Sequence, residues 1–273
     1  DVRERSSRVG EIRAPELVRS RRYGSGSAVG PRTAASNARM VDTVRAIGFD
    51  LDHTLAIDNR LERVAFLRLL DELLKEGARP VGTLADEIDN IDDLLARQRA
   101  GEFSIDDAVR RFVAQRGLEP AERHVVWFRR TAVEMVPEFV VPLPGVKPTL
   151  ETLRERGIAV AVLSNGWNPL QSRKAEQAGF AGPMIVSSEI GWLKPAPQAF
   201  EKLLRTLGTD ARQTWYVGDD PRCDVTGAQA IGMPAVWIDW ERKEYPPALR
   251  PPEHTIREFQ ELLKLLPEPV RAT

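Results

Sequence analysis

The chain holds a single cysteine, Cys223, which rules out an internal disulfide and any site built from several thiolates. That sparing use fits a reducing compartment, and a cytoplasmic location is the expectation. The three histidines, His53, His124 and His254, stand far apart, without the close spacing of paired metal ligands. No apolar run approaches the roughly 20 residues needed to cross a bilayer, so no membrane role is expected. An excess of one charge is missing too: 39 Lys and Arg oppose 40 Asp and Glu, a formal net charge of -1. Without a global basic field nucleic acid is not an expected partner, and without an acidic excess the chain does not read as disordered. What remains is an ordinary globular composition on 273 residues, enough for a large core carrying an insertion.

Residues 1–44 differ from the rest. Arg3, Arg5, Arg8, Arg13, Arg19, Arg21 and Arg22 recur among Ser and Gly with no sustained apolar period. Such a stretch buries too little surface to offset its ordering entropy, and a disordered basic extension is the expectation. Glu4, Glu11 and Glu16 weaken a transit-peptide reading, and no apolar segment suits a secretory signal.

The first strand pattern runs through Val44 and Ile47 into Asp50-Leu51-Asp52-His53-Thr54. Helical periodicity then covers 61–75, 84–99, 105–115 and 122–136, with Ser104 as an N-cap followed by Asp106 and Asp107. No strand pattern interrupts 58–140, and an all-helical block of that length exceeds an ordinary crossover between parallel strands. It reads as an inserted helical module. After the hinge at Pro142-Leu143-Pro144-Gly145, strand patterns at 158–163, 184–186, 214–217 and 235–239 alternate with helical ones at 147–156, 168–178 and 198–207. Alternation of this kind predicts an α/β fold, a doubly wound parallel sheet, with its core in 45–57 and 141–273.

Ligands of such sheets sit beyond the carboxyl ends of the strands. Here those ends carry Asp50 and Asp52, then Ser164 and Asn165, then Asp219 and Asp220. Clustered carboxylates are costly unless protonated or bound to a hard cation, and oxygen-only ligation suits Mg2+. Magnesium among acids commonly meets phosphate, whose oxygens also need donors; Ser164 and Lys194 can supply them.

Asp50-x-Asp52-x-Thr54, then Ser164, then Lys194-Pro195, then Gly218-Asp219 with Asp224 downstream, resembles the four ordered motifs of the haloacid dehalogenase superfamily. The resemblance covers about residues 45–239 and implies a Rossmann-like core, with the helical block as a type 1 cap. It implies Asp50 as the nucleophile that forms an aspartyl-phosphate, and Asp52 as general acid and then general base. It implies a Mg2+ held by Asp50, the backbone carbonyl of Asp52 and Asp219. Ser164, Asn165 and Lys194 would bind the phosphoryl oxygens, Thr54 would order the turn, and Asp224 would support the metal shell or Lys194. Members that remove halide lack an acid at the position of Asp52, so its presence places this chain with the phosphatases and phosphomutases. The implied function is hydrolysis of a small phosphorylated metabolite. A phosphotransferase or phosphomutase using the same nucleophile is the alternative, together with a non-catalytic regulator, which would have lost a motif residue. Arg129, Arg130, Trp127 and Phe128 are candidates for the cap surface facing the cleft, but aromatics at helical spacing are usually core and Arg pairs usually solvated, which is the stronger reading. Trp167 is a site candidate by its place after Ser164-Asn165-Gly166, with loop packing an equal alternative, and His53 is read as packing or turn chemistry.

Overall fold

In chain order the elements are β1 (Ala46–Phe49), β2 (Ala56–Ile57), α1 (Leu61–Lys75), α2 (Leu84–Arg99), α3 (Ile105–Gln115), α4 (Glu122–Glu134) and α5 (Val136–Phe139). Then follow β3 (Val141–Pro142), α6 (Val146–Glu155), β4 (Ala159–Ser164), α7 (Leu170–Gln177), β5 (Met184–Val186), α8 (Ser187–Ile190) and α9 (Pro197–Leu207). The last are β6 (Thr214–Gly218), α10 (Thr226–Ala230), β7 (Ala235–Ile238), β8 (His254–Ile256) and α11 (Leu262–Leu265). This computed structural model describes residues 44–267; the extension expected over 1–44 lies outside the described residues except for Val44.

Six strands form one parallel sheet in the order β5-β4-β1-β6-β7-β8. Its strands feed two separate cores because side chains alternate across a sheet. Ile47, Phe49, Val162, Val217 and Val236 point into one, shared with Val146, Leu150 and Leu153 of α6. Ala161, Leu163, Tyr216, Ala235 and Trp237 point into the other, against Phe200 and Leu203 of α9. The result is the Rossmann-like, doubly wound arrangement that the alternating pattern calls for. Among the described residues no helix is long and apolar enough to cross a membrane.

The helices α1–α4 leave the core after β2 and return at β3, which pair as a short antiparallel ribbon (Ala56 with Pro142, Ile57 with Val141). Thr83 and Asp86 form a capping box on α2, and Ser104 accepts from the Asp107 N–H at 3.1 Å on α3. Phe66 joins the helices, its ring 5.0 Å from Phe112 and 4.4 Å from Phe128.

Several boundaries differ from the sequence pattern. The helix read over 122–136 stops at Glu134, because Pro137 cannot donate to the ladder and starts a separate turn, α5. Strand β4 runs one residue further, so Ser164 is its last member and not part of the loop. The ribbon β2–β3 and the edge strand β8 are too short to leave a periodic trace.

Candidate active site

Asp50 extends β1 by one more bond, its N–H donating to the Val217 carbonyl at 2.9 Å. The chain then turns sharply: the Leu51 carbonyl accepts from the N–H groups of Thr54, Leu55 and Ala56, and His53 adopts a left-handed φ of 62°. Trp240 holds that turn by donating its indole N–H to the His53 carbonyl at 2.8 Å, with the two rings stacked. Thr54 is fully buried inside the turn, and its hydroxyl has no partner among the described residues. Its backbone N–H, at 3.3 Å from the Leu51 carbonyl, is what ties it to the turn.

Beyond the end of the strand lies a buried ionic cluster. Lys194 Nζ donates to Asp50 Oδ1 at 2.5 Å, to Asp224 Oδ1 at 2.8 Å and to the Tyr216 hydroxyl at 3.2 Å. Burial alone would lower the Lys194 pKa, but Asp224 and Asp50 push it well above the ordinary lysine value, so the ammonium stays charged. Asn165 places this lysine: its side-chain amide donates to the Lys194 carbonyl and its amide oxygen accepts from the Lys194 N–H. The side chain expected to bind phosphate is thus occupied in clamping the loop that carries Lys194. Asp224 stands in a single π turn, Pro221–Val225, and accepts from the Asp220 N–H at 3.0 Å. Gly218 makes room for it, since a Cβ there would overlap the Asp224 carboxyl. The Asp220 side chain accepts from the Arg222 and Cys223 N–H groups, the work of a turn acid.

Carboxylate oxygens of Asp50, Asp219 and Asp224 lie within 4.8 Å of one another. Burial raises the Asp50 carboxyl to about 7 despite the Lys194 ammonium, with Asp224 and Asp52 adding to the rise. Burial, together with Asp50 and Asp224, pushes Asp219 up to about 8. Burial raises the Asp224 carboxyl as well. Three crowded acids, all hard oxygen donors and all reluctant to ionise, fit a divalent cation such as Mg2+. Asp224, expected only in a supporting place, supplies the third carboxylate of this group.

The side chain of Asp52 turns to a different set of partners. Its Oδ2 accepts from Gln171 Nε2 at 2.7 Å and its Oδ1 from Lys174 Nζ at 2.9 Å. Gln171 also donates to Ser164 Oγ at 2.6 Å, and Lys174 to Asp58 Oδ2 at 2.9 Å. Ser164, 1% exposed, accepts from Gln171 and keeps its own proton to donate. Gly166 leaves space for this bridge, as a Cβ there would meet the Gln171 side chain. Sequence reasoning missed Gln171 and Lys174. The signal available was two polar residues on the helix face that also carries the buried Leu170 and Ala175.

A cavity of about 650 Å3 opens over these groups. Asp50, Asp52, Asn165, Lys194, Asp219 and Asp224 line its core side, whereas Ser164 is set behind the wall. The helical insertion contributes Glu62 and Arg63 from α1 and Asp92, Leu95, Gln98 and Arg99 from α2. The four candidates on α4 do not line it. Phe128 is core, and Trp127 packs against that same core. Arg130 is largely exposed, 3.7 Å from Glu134. Arg129 pairs with Asp106 and donates to the Asn168 carbonyl at 2.5 Å. An α4 stripe rich in aromatic and basic residues therefore serves packing, and α1 and α2 supply the roof. Trp167 does line the cavity, its indole N–H donating to Glu62 Oε1 at 2.9 Å.

A family model described as haloacid dehalogenase-like hydrolase matches residues 44–232, which include every motif residue named above. A phosphoserine phosphatase of Thermus thermophilus is 38% identical over 99 residues, 35% of this chain and 40% of that protein, so the match spans less than half of that relative. A glyceraldehyde 3-phosphate phosphatase of Pyrococcus furiosus is 26% identical over 239 residues, 82% of this chain and 93% of that one. A HAD hydrolase of Bacillus subtilis, solved with magnesium bound, shares the fold at a TM-score of 0.60 and 22% identity, covering 82% of this chain and 99% of that chain. The motifs stand in order at the strand ends, inside a match that takes in most of the chain. The protein belongs to the haloacid dehalogenase-like hydrolases.

Proposed function

We propose that this protein is a Mg2+-dependent phosphomonoester hydrolase acting on a small phosphorylated metabolite through an aspartyl-phosphate on Asp50. The observation that carries the reading is the placement of Asp50. It ends the central strand, is held by Lys194 at 2.5 Å, is grouped with Asp219 and Asp224, and opens into a cavity that Asp52 also lines.

Asp50 attacks phosphorus and the bond to the substrate oxygen breaks, with Asp52 giving its proton to the departing alkoxide. Asp52 then takes a proton from water, whose oxygen attacks phosphorus and releases inorganic phosphate, restoring Asp50. Lys194 balances charge on Asp50 and on the phosphoryl oxygens, whereas Ser164, set behind the cavity wall, accepts from Gln171. A Mg2+ ion would be held by Asp50, Asp219 and the Asp52 backbone carbonyl, with Asp224 close by, and would neutralise charge on the transferring group. The relatives' names support a small substrate, and so does the roofed cavity. The acid at position 52 favours an alcohol over a halide as leaving group, because halide departs without a proton.

The test is phosphate release from p-nitrophenyl phosphate with Mg2+. Asp50→Asn is expected to abolish it, and chelation with EDTA to stop the wild-type enzyme. Undiminished turnover in Asp50→Asn would sink the nucleophile assignment, and turnover persisting in EDTA would remove the metal.

A further inference from the structure

Asp52 stands on a turn, with its side chain 29% exposed. A short carboxyl in that position has rotamers to choose from, yet both oxygens here are fixed from one direction. Gln171 and Lys174, three residues apart on one face of α7, take Oδ2 and Oδ1 respectively. Both are almost fully buried, at 2% each. Burying an ammonium costs several kcal/mol per ion unless it is well paired, and an aliphatic side chain would pack beside Leu170 and Ala175 without that cost. Packing therefore does not account for a lysine at this place. Its second contact is with Asp58, on the link from β2 into α1, and Asp58 is itself fixed by accepting from the Arg60 N–H at 3.1 Å. One ammonium thus joins the carboxyl of Asp52 to the point where the helical insertion begins.

We propose that Lys174, with Gln171, is a positioning residue that holds the Asp52 carboxyl in line with the leaving-group oxygen and anchors it to the entry of the insertion through Asp58. The inference rests on the proposed acid role of Asp52. Lys174 and Gln171 also border the cavity, but the role assigned to them is contact with Asp52. A group aimed in this way matters most when the leaving oxygen needs a proton. An alkoxide does; p-nitrophenolate leaves without one.

The experiment compares kcat/KM for p-nitrophenyl phosphate and for an alkyl phosphomonoester that the wild-type protein hydrolyses. The ratio kcat/KM reports the barrier up to loss of the alcohol, before the water step that both substrates share. Lys174→Met is expected to lower the alkyl value about 100-fold, the scale of a misplaced catalytic group. The aryl value should fall about threefold or less, because no acid catalysis is lost there. Lys174→Arg, which keeps the charge, should recover much of the alkyl value. Equal loss on both substrates, or none on either, overturns the proposal, since a purely structural lysine moves both together. If Lys174→Met gives no cooperative thermal transition, Asp58→Ala decides: it removes one of the two acceptors of Lys174 and should show the same selective loss, about tenfold on the alkyl substrate. Equal changes in that variant also overturn it. Failure of the hydrolase reading is separate, because it appears as turnover in Asp50→Asn whatever Lys174 does.

Discussion

Trp167, in the loop after β4, donates its indole N–H to the Glu62 carboxyl of α1 at 2.9 Å. A single buried bond thus ties the core loop to the helical insertion directly above the cavity. The joint has a second strand, because the Arg129 guanidinium lies 4.9 Å over the Trp167 ring and donates to the neighbouring Asn168 carbonyl. Glu62 carries the contact onward to Arg99 of α2 at 3.3 Å.

Trp167→Phe removes that N–H while keeping an aromatic ring in the site. The buried Glu62 oxygen then lacks its donor, and the expected cost is about 1–3 kcal/mol. Thermal unfolding measures it; an unchanged Tm would mean that the joint does not contribute to stability.

Gly218→Ala places a methyl group where the Asp224 carboxyl lies. Overpacking there is expected to cost about 1–3 kcal/mol. Turnover should fall with it, because Asp224 is one of the groups that hold Lys194. An alanine variant with wild-type kcat and Tm would show that the loop can move aside freely.

Lys194→Met leaves Asp50 and Asp224 buried without their common cation, for an expected loss of about 3–5 kcal/mol. Removing that charge raises both carboxyls further, so the deficit should widen as pH rises. Urea unfolding of both proteins at two pH values is the check, and a pH-independent deficit would contradict the pairing.

A bound Mg2+ would be linked to pH through Asp50 and Asp219, raised to about 7 and about 8 in the folded protein. The unfolded chain releases those protons near pH 4, about the ordinary carboxylate value, so between there and pH 8 the folded state binds more protons. Stability of the metal-free protein from these two groups therefore falls as pH rises through that window. A divalent ion competes with the same protons. The Tm increase on adding Mg2+ should be larger at about pH 8.5 than at about pH 6. Equal increases at both values would exclude these two carboxyls as the linked groups.

Much of the fold is legible in the sequence because β1, β6 and β7 are fully buried runs and α1, α2 and α3 carry wide apolar stripes. Of the site, the groups at strand ends were readable for the same reason: a greasy run that stops at an acid marks the edge of a parallel sheet. Gln171 and Lys174 were not, since in sequence α7 looks like a polar surface helix, and burial of its lysine follows only from Asp52 and Asp58 meeting it across more than a hundred residues. On α4, Trp127 and Phe128 at helical spacing read more readily as core than as cleft, and core is where they lie. Four of the six residues on α1 and α2 that face the cavity, Glu62, Arg63, Asp92 and Arg99, are charged, and a sequence offers such residues as solvent-exposed by default.

The ribbon of β2 and β3 brings the two ends of the helical insertion side by side, within about 5 Å, the spacing of paired strands. A segment that leaves and returns at one doorway can be lengthened, trimmed or exchanged without re-threading the sheet below it. Doubling such a loop costs only about 0.6 kcal/mol in closure entropy. The groups proposed to break the bond, Asp50, Asp52, Lys194 and Asp219, all lie outside the segment so bounded, while Glu62, Arg63 and Arg99 lie within it. Heredity can therefore redraw what this catalyst admits by rewriting one contiguous stretch of its gene, leaving the reaction untouched.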